Sequence, residues 1–184
     1  SETRKTVSVY PDIQSGFNAS VTEGCHPLIV DFTNLSNGVQ TYIWDFGDGS
    51  SSNLQDPSRT FTNTGTVDSI YTVTLIGIAP NNVCRDTFAI DITVHPYVQA
   101  NFTIPDPLGC NPFDVVIENS SINADLYRWD FGDGTDTVTF STDPLVHRFN
   151  NADFANQRDY EITLVAENFA GCTSEIRRTI TVEP

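Results

Sequence analysis

The 184 residues carry 24 acidic against 9 basic side chains, a formal charge of −15, and 39% of the chain is hydrophobic. A surface this acidic repels phosphate backbones and has no basic stripe to release counterions, so a nucleic-acid binder is excluded. No apolar run approaches the ~20 residues that a bilayer span requires, so no membrane insertion is expected of this sequence.

Residues 1–11 read as one strand closed by Pro11. Their pattern Ser1-Glu2-x-Arg4-Lys5-Thr6-x-x-Val9-x-Pro11 returns as Ser174-Glu175-x-Arg177-Arg178-Thr179-x-x-Val182-x-Pro184. The segment is therefore expected to be the last strand of a preceding repeat. With no methionine in the sequence, the chain reads as a piece of a longer tandem array.

Two full copies follow, expected at 12–96 and 97–184. Strands show as period-two alternation rich in β-branched and aromatic residues. In the first copy they are predicted near 15–21, 28–35, 40–46, 58–62, 69–78 and 84–95. In the second they are predicted near 100–105, 113–120, 125–131, 137–140, 146–149, 158–167 and 172–182. No stretch sustains a helical period. Short strands separated by turn signals every ~8–12 residues predict an all-β chain of two β-sandwiches. Pro96 and Pro184 end each last strand, because proline cannot donate to a ladder. Strands of about ten residues at ~3.3 Å each make units on the order of 35 Å long, and the short linker between them suggests an elongated, semi-rigid rod.

The octet Tyr-x-Trp-Asp-Phe-Gly-Asp-Gly spans Tyr42 to Gly49 and again Tyr127 to Gly134, a shift of 85 (127 minus 42). Tyr42, Trp44 and Phe46 share one strand face with Ile43 and Asp45 on the other. Arg128 takes the place of Ile43 in the second copy, so the aromatic face is the core face. Gly47-Asp48-Gly49 and Gly132-Asp133-Gly134 read as tight turns, since glycine accepts positive φ and aspartate bonds its own backbone.

Four cysteines allow three pairings. Cys25 and Cys110 precede the second predicted strand of their copies; Cys84 and Cys172 stand at the head of the last. Equivalent units should make equivalent bonds, which favours Cys25–Cys84 and Cys110–Cys172. Each would close about 60 residues and stabilise by roughly 4 kcal/mol in the chain-entropy model. No close pair suggests zinc. Disulfides imply an oxidising compartment, hence an extracellular, cell-surface location.

The octet resembles the polycystic-kidney-disease (PKD) repeat, whose pattern includes W-D-F-G-D-G. Pro57 to Phe61 and Pro144 to Phe149, with His147, are similar to its P-x-H-x-Y/F segment, although Arg59 stands near the expected histidine in the first copy. Tyr71 to Leu75 and Tyr160 to Leu164 are similar to its Y-x-V-x-L strand. The resemblance implies an immunoglobulin-like sandwich of about seven strands in each copy. Tandem acidic copies with cysteine pairs look most like the surface adhesins and gliding-motility proteins of Bacteroidota. That likeness implies a non-catalytic stalk or spacer whose partners are neighbouring repeats of the same chain. The alternative is an accessory module of a secreted hydrolase, binding a polysaccharide or a protein.

Asp45, Asp48, Asp130 and Asp133 are the candidate chemistry. They are turn formers or, as in some PKD-like domains that accompany collagenases, calcium ligands; hard oxygens suit that ion. Two aspartates per copy fall short of six to eight ligands, which favours the turn. His26, His95 and His147 occupy different slots and read as structural. No G-x-S-x-G, H-E-x-x-H or phosphate-cradling loop occurs. No catalytic residue and no cofactor besides calcium is expected. N-x-S/T triplets stand at Asn18, Asn34, Asn101 and Asn119, a pattern that is common by chance in so polar a chain.

Overall fold

A computed structural model describes residues 12–80 and 82–184. The expected strand within 1–11 lies outside the described residues. The chain divides into two compact units, Ser1–His95 and Pro96–Pro184.

The first unit contains β1 (Phe17–Ala19), β2 (Glu23–Cys25), β3 (Leu28–Asn34), β4 (Thr41–Asp45), β5 (Ser51–Ser52), β6 (Ser58–Phe61), β7 (Ser69–Ile78) and β8 (Arg85–His95). One sheet has the order β1-β3-β6 and the other β2-β8-β7-β4-β5. All pairings are antiparallel except β2 with β8. The second unit repeats this with β9 (Phe102–Thr103), β10 (Leu108–Cys110), β11 (Phe113–Asn119), β12 (Leu126–Asp130), β13 (Asp136–Thr139), β14 (Leu145–Phe149), β15 (Arg158–Glu167) and β16 (Thr173–Glu183). Its sheets run β9-β11-β14 and β10-β16-β15-β12-β13. The fold is all-β, two immunoglobulin-like sandwiches in tandem. No helix of the described residues is long and apolar enough to cross a membrane.

Each sandwich closes because its strands alternate. On β3, Val30 and Phe32 are buried while Ile29, Asp31 and Thr33 face solvent, as one-sided burial requires. The first core gathers Phe17, Val30, Phe32, Trp44, Phe46, Phe61, Val73, Leu75, Ile92 and Val94. The second gathers their counterparts around Phe102, Trp129, Phe131, Phe149 and Ile162. Within them Trp44 stacks on Phe46 with ring planes 12° apart, and Phe102 meets Trp129 edge-on at 5.3 Å. Such arrangements suit the ring quadrupoles. The indole N–H groups also find acceptors, Leu54 O at 2.8 Å for Trp44 and Thr139 Oγ1 at 3.3 Å for Trp129.

Sequence alternation did not reveal β2 and β10. Each has three residues, too few to show a period, and each pairs in parallel with the far end of the last strand. Cys25 lies beside His95 and Cys110 beside Glu183. This register corrects the expected disulfides. Cys84 and Cys172 precede the opposite ends of β8 and β16, so the two cysteines of one unit stand about 35 Å apart along the strand. A disulfide needs Cα atoms within about 7 Å. Neither Cys25–Cys84 nor Cys110–Cys172 can form. Cys25 and Cys172 are each disulfide-bonded, and Cys110 is an exposed free thiol.

Candidate functional site

The octet turn is the most elaborated polar feature of each unit. In the first, Asp45 Oδ1 accepts from Gly47 N at 2.9 Å, and Asp48 Oδ1 accepts from the amide and hydroxyl of Ser50 at 2.9 and 2.5 Å. The other Asp48 oxygen takes Arg59 Nε at 2.7 Å and Nη2 at 2.6 Å. In the second, Asp130 Oδ1 accepts from Gly132 N at 2.9 Å, and Asp133 Oδ1 from Thr135 N and Oγ1 at 2.9 and 2.6 Å. Asp133 Oδ2 meets His147 Nε2 at 2.9 Å. Arg59 and His147 hold one register position, opposite Val30 on β3 and Val115 on β11. The aspartate of one sheet is thus tied to a strand of the other, through Arg59 in the first unit and His147 in the second. His147 also stacks on Phe131 with centroids 3.7 Å apart.

Burial pushes the Asp48 carboxyl up, but the Ser50 donors and the Arg59 guanidinium outweigh it and hold it below its ordinary value. Asp133 is likewise held below its ordinary value: burial raises it, and His147 and Thr135 lower it by more. The turn itself depends on Gly47 and Gly132, with φ of +73° and +72°. A Cβ at either position would meet a backbone oxygen, Thr72 O at 2.7 Å or Glu161 O at 2.5 Å.

The structure therefore brings Asp45 and Asp48 to one turn and Asp130 and Asp133 to its counterpart, each already committed to turn donors. Calcium would have to displace Arg59 from Asp48 and His147 from Asp133. Among the described residues no group of three or more His, Cys, Asp or Glu side chains is placed to hold a metal.

Two buried asparagines escaped the sequence reading. Asn63 is 2% exposed; its Nδ2 donates to Val67 O and Val94 O at 2.8 and 2.7 Å, and its Oδ1 accepts from Gly65 N at 2.9 Å. Asn151 is 1% exposed and donates to Asn156 O and Val182 O at 2.8 and 3.0 Å, accepting from Asp153 N at 2.9 Å. The available signal was their common place two residues after Phe61 and Phe149.

Outside the turns, the second unit carries a groove of about 220 Å³ lined by Asp125, Arg128, Phe140, Glu167 and Phe169. Phe140 is 76% and Phe169 94% exposed. First-unit counterparts of Arg128 and Phe140 are Ile43 and Gln55, so the groove is not part of the duplicated scaffold.

Residues 8–94 match the family model of the PKD domain. The second unit reproduces the sheet order and octet of the first. Among solved structures, the chain is similar to the PKD1 domain of the Vibrio cholerae metalloprotease PrtV. Identity there is 27%, covering 44% of this chain and 94% of that one, with a TM-score of 0.37. The PKD1 domain of Vibrio anguillarum Epp is 24% identical over 47% of this chain and 96% of its own, at a TM-score of 0.38. A Methanosarcina mazei protein solved by NMR is 30% identical over 51% of this chain and 59% of its own, at 0.33. Scores this low carry no function across. No curated protein matches the chain.

Proposed function

We propose that the chain is a non-catalytic extracellular repeat module, a stalk or spacer within a large cell-surface adhesin serving attachment or gliding. The observation that carries this reading is where the duplicated polar residues are spent. Asp45, Asp48, Asp130 and Asp133 all bond turn amides, and Asp48 and Asp133 also join the two sheets of their own unit. A catalytic carboxylate would instead be held beside an open cleft, with an oxygen left for substrate. The disulfide agrees with secretion into an oxidising compartment. The test is to display one, two or three copies of the chain between a cell-surface anchor and a lectin reporter. Capture of large glycan-coated particles should rise with copy number and be unaffected by substitutions on the module's surface. Capture independent of copy number refutes the spacer.

The Phe140–Phe169 groove favours a second reading, an accessory polysaccharide- or protein-binding module of a secreted hydrolase. Exposed rings beside Arg128, Glu167 and Asp125 suit the apolar face and hydroxyls of a sugar. A glycan array probed with the purified chain decides it. Binding that is lost in Phe140→Ala/Phe169→Ala supports the accessory module, and a blank array removes the polysaccharide form of it.

A further inference from the structure

The groove between Phe140 and Phe169 is one end of a longer depression. A second cavity, of about 210 Å³, opens beside it on the outer face of the same sheet and shares Arg128 with it. The floor is β12, where Leu126, Arg128 and Asp130 face outward while Tyr127 and Trp129 are buried. Arg128 lies between Val138 of β13 and Val165 of β15. From Leu126 to Asp130 the strand runs about 13 Å, longer than a single sugar ring.

The rings at the other end are presented, not merely left out. Phe169 N donates to Asp125 Oδ2 at 3.0 Å, and Asn168 Oδ1 accepts from Ala170 N and Cys172 N at 3.1 and 2.9 Å, so the loop holds a ring that is 94% exposed. The first unit makes the same loop without it. Ala79 N bonds Cys84 O as Asn168 N bonds Cys172 O, both at 3.0 Å, which places Ile78, Ala79 and Pro80 where the second unit has Glu167, Asn168 and Phe169. The sandwich therefore forms without these side chains, and folding gives no reason to keep two rings in water.

We propose that this trough binds the interior of an unbranched neutral glycan, with sugar rings stacked on Phe140 and Phe169 and the chain lying along β12. The inference rests on the accessory-module reading above and gives that module its ligand class. A phenyl face suits the apolar C–H face of a pyranose. Beside the rings Arg128 Nη2 meets Glu167 Oε2 at 3.3 Å, which leaves further guanidinium hydrogens and carboxylate lone pairs for a ligand. A hydroxyl donates and accepts, so it serves both kinds of group. An acidic chain would meet Asp125 and Glu167 at one end and Asp130 opposite Asp136 at the other. A basic chain would set like charge beside Arg128 and offer it no acceptor. Because the depression continues past Arg128, it takes a chain and not only a terminal sugar.

The test is titration calorimetry of the full chain with neutral cello-, manno- and laminari-oligosaccharides of one to six rings. Oligogalacturonates and chitosan oligomers of the same lengths are the acidic and basic counterparts. A neutral series should bind, with affinity rising up to about three rings, the length of the floor. Phe140→Ala and Phe169→Ala should each weaken binding at least about tenfold. Val138→Asn, at the other end, should weaken the longer oligomers and spare the shortest. Arg128→Gln repeats the test without touching either ring and should weaken every length, and Trp129 fluorescence in urea shows that each variant is folded. Affinity independent of chain length, or unchanged in both phenylalanine variants, overturns the trough. Preference for the acidic or basic oligomers overturns the neutral ligand and leaves the accessory module standing. Binding to no sugar of any class overturns the inference together with the polysaccharide form of that reading.

Discussion

Replacing Asn151 with alanine tests how the end of the second unit beside Val182 is held together. The side chain closes three hydrogen bonds in a site 1% exposed, and its removal leaves the Val182 carbonyl without that donor at the end of a fully buried strand position. A typical intramolecular bond contributes about 1 kcal/mol net, and stranding a buried acceptor costs more than that mean, so the expected loss is about 3 kcal/mol. Asn63→Ala in the first unit breaks the same three bonds and should cost the same. With a urea m-value of roughly 2 kcal/mol/M, the midpoint should fall by about 1.5 M with the slope unchanged. Each unit has one buried tryptophan, Trp44 or Trp129, so fluorescence in a Trp44→Phe background follows Asn151→Ala and a Trp129→Phe background follows Asn63→Ala. Asn151→Asp sharpens the test. A carboxylate at neutral pH has no hydrogen for Asn156 O or Val182 O, and a buried unpaired charge is costly. It should destabilise at least as much as alanine at pH 7 and recover part of the loss in mild acid, where the protonated form donates one bond. A cost below about 1 kcal/mol for both alanine variants, or an Asn151→Asp protein as stable as the parent, would refute the account.

The remaining expectations concern the octet turn. Gly132→Ala should lose about 3 kcal/mol in the same urea assay, since it adds the left-handed penalty of 1–2 kcal/mol to a collision with Glu161 O; Gly134→Ala, at φ +92° with nothing within 4 Å, should lose only the first part. Asp48→Asn should cost about 1–2 kcal/mol at pH 7, because it weakens a charge-assisted bond to a guanidinium in a half-buried site. Asp48 and Asp133 both have folded-state values below the ordinary carboxylate value, so their contribution is fully present above about pH 4 and is lost as pH falls through the lowered values. Asp48→Asn/Asp133→Asn should flatten that acid limb in a pH series of thermal melts. Millimolar calcium should leave the parent's melting midpoint unchanged, and a rise abolished in the same double variant would return these carboxylates to metal binding.

Much of the fold was legible because the long strands alternate. β7 and β15 have the predicted bounds, 69–78 and 158–167, and β3, β4, β6, β8, β11 and β16 differ from expectation by a residue or so at their ends. The aromatic face of the octet was legible for the same reason, since an arginine at position 128 is tolerated only on a solvated face. The turn role of the aspartates followed from their glycines. What sequence could not supply was the partner of each polar side chain across the sandwich. Arg59 and His147 reach the same carboxylate position only because β6 and β14 share a register against β3 and β11, and although the sequence places Arg59 near the expected histidine, residue type gives no hint that both meet an octet aspartate.

The cysteines show where the reasoning from repeats had to fail. Symmetry said correctly that equivalent cysteines occupy equivalent places, but it cannot say which end of a strand a three-residue neighbour joins. β2 and β10 carry no alternation, and a parallel pairing places them beside the end of the last strand rather than its start. That one topological fact moves Cys25 from the vicinity of Cys84 to the opposite end of the unit.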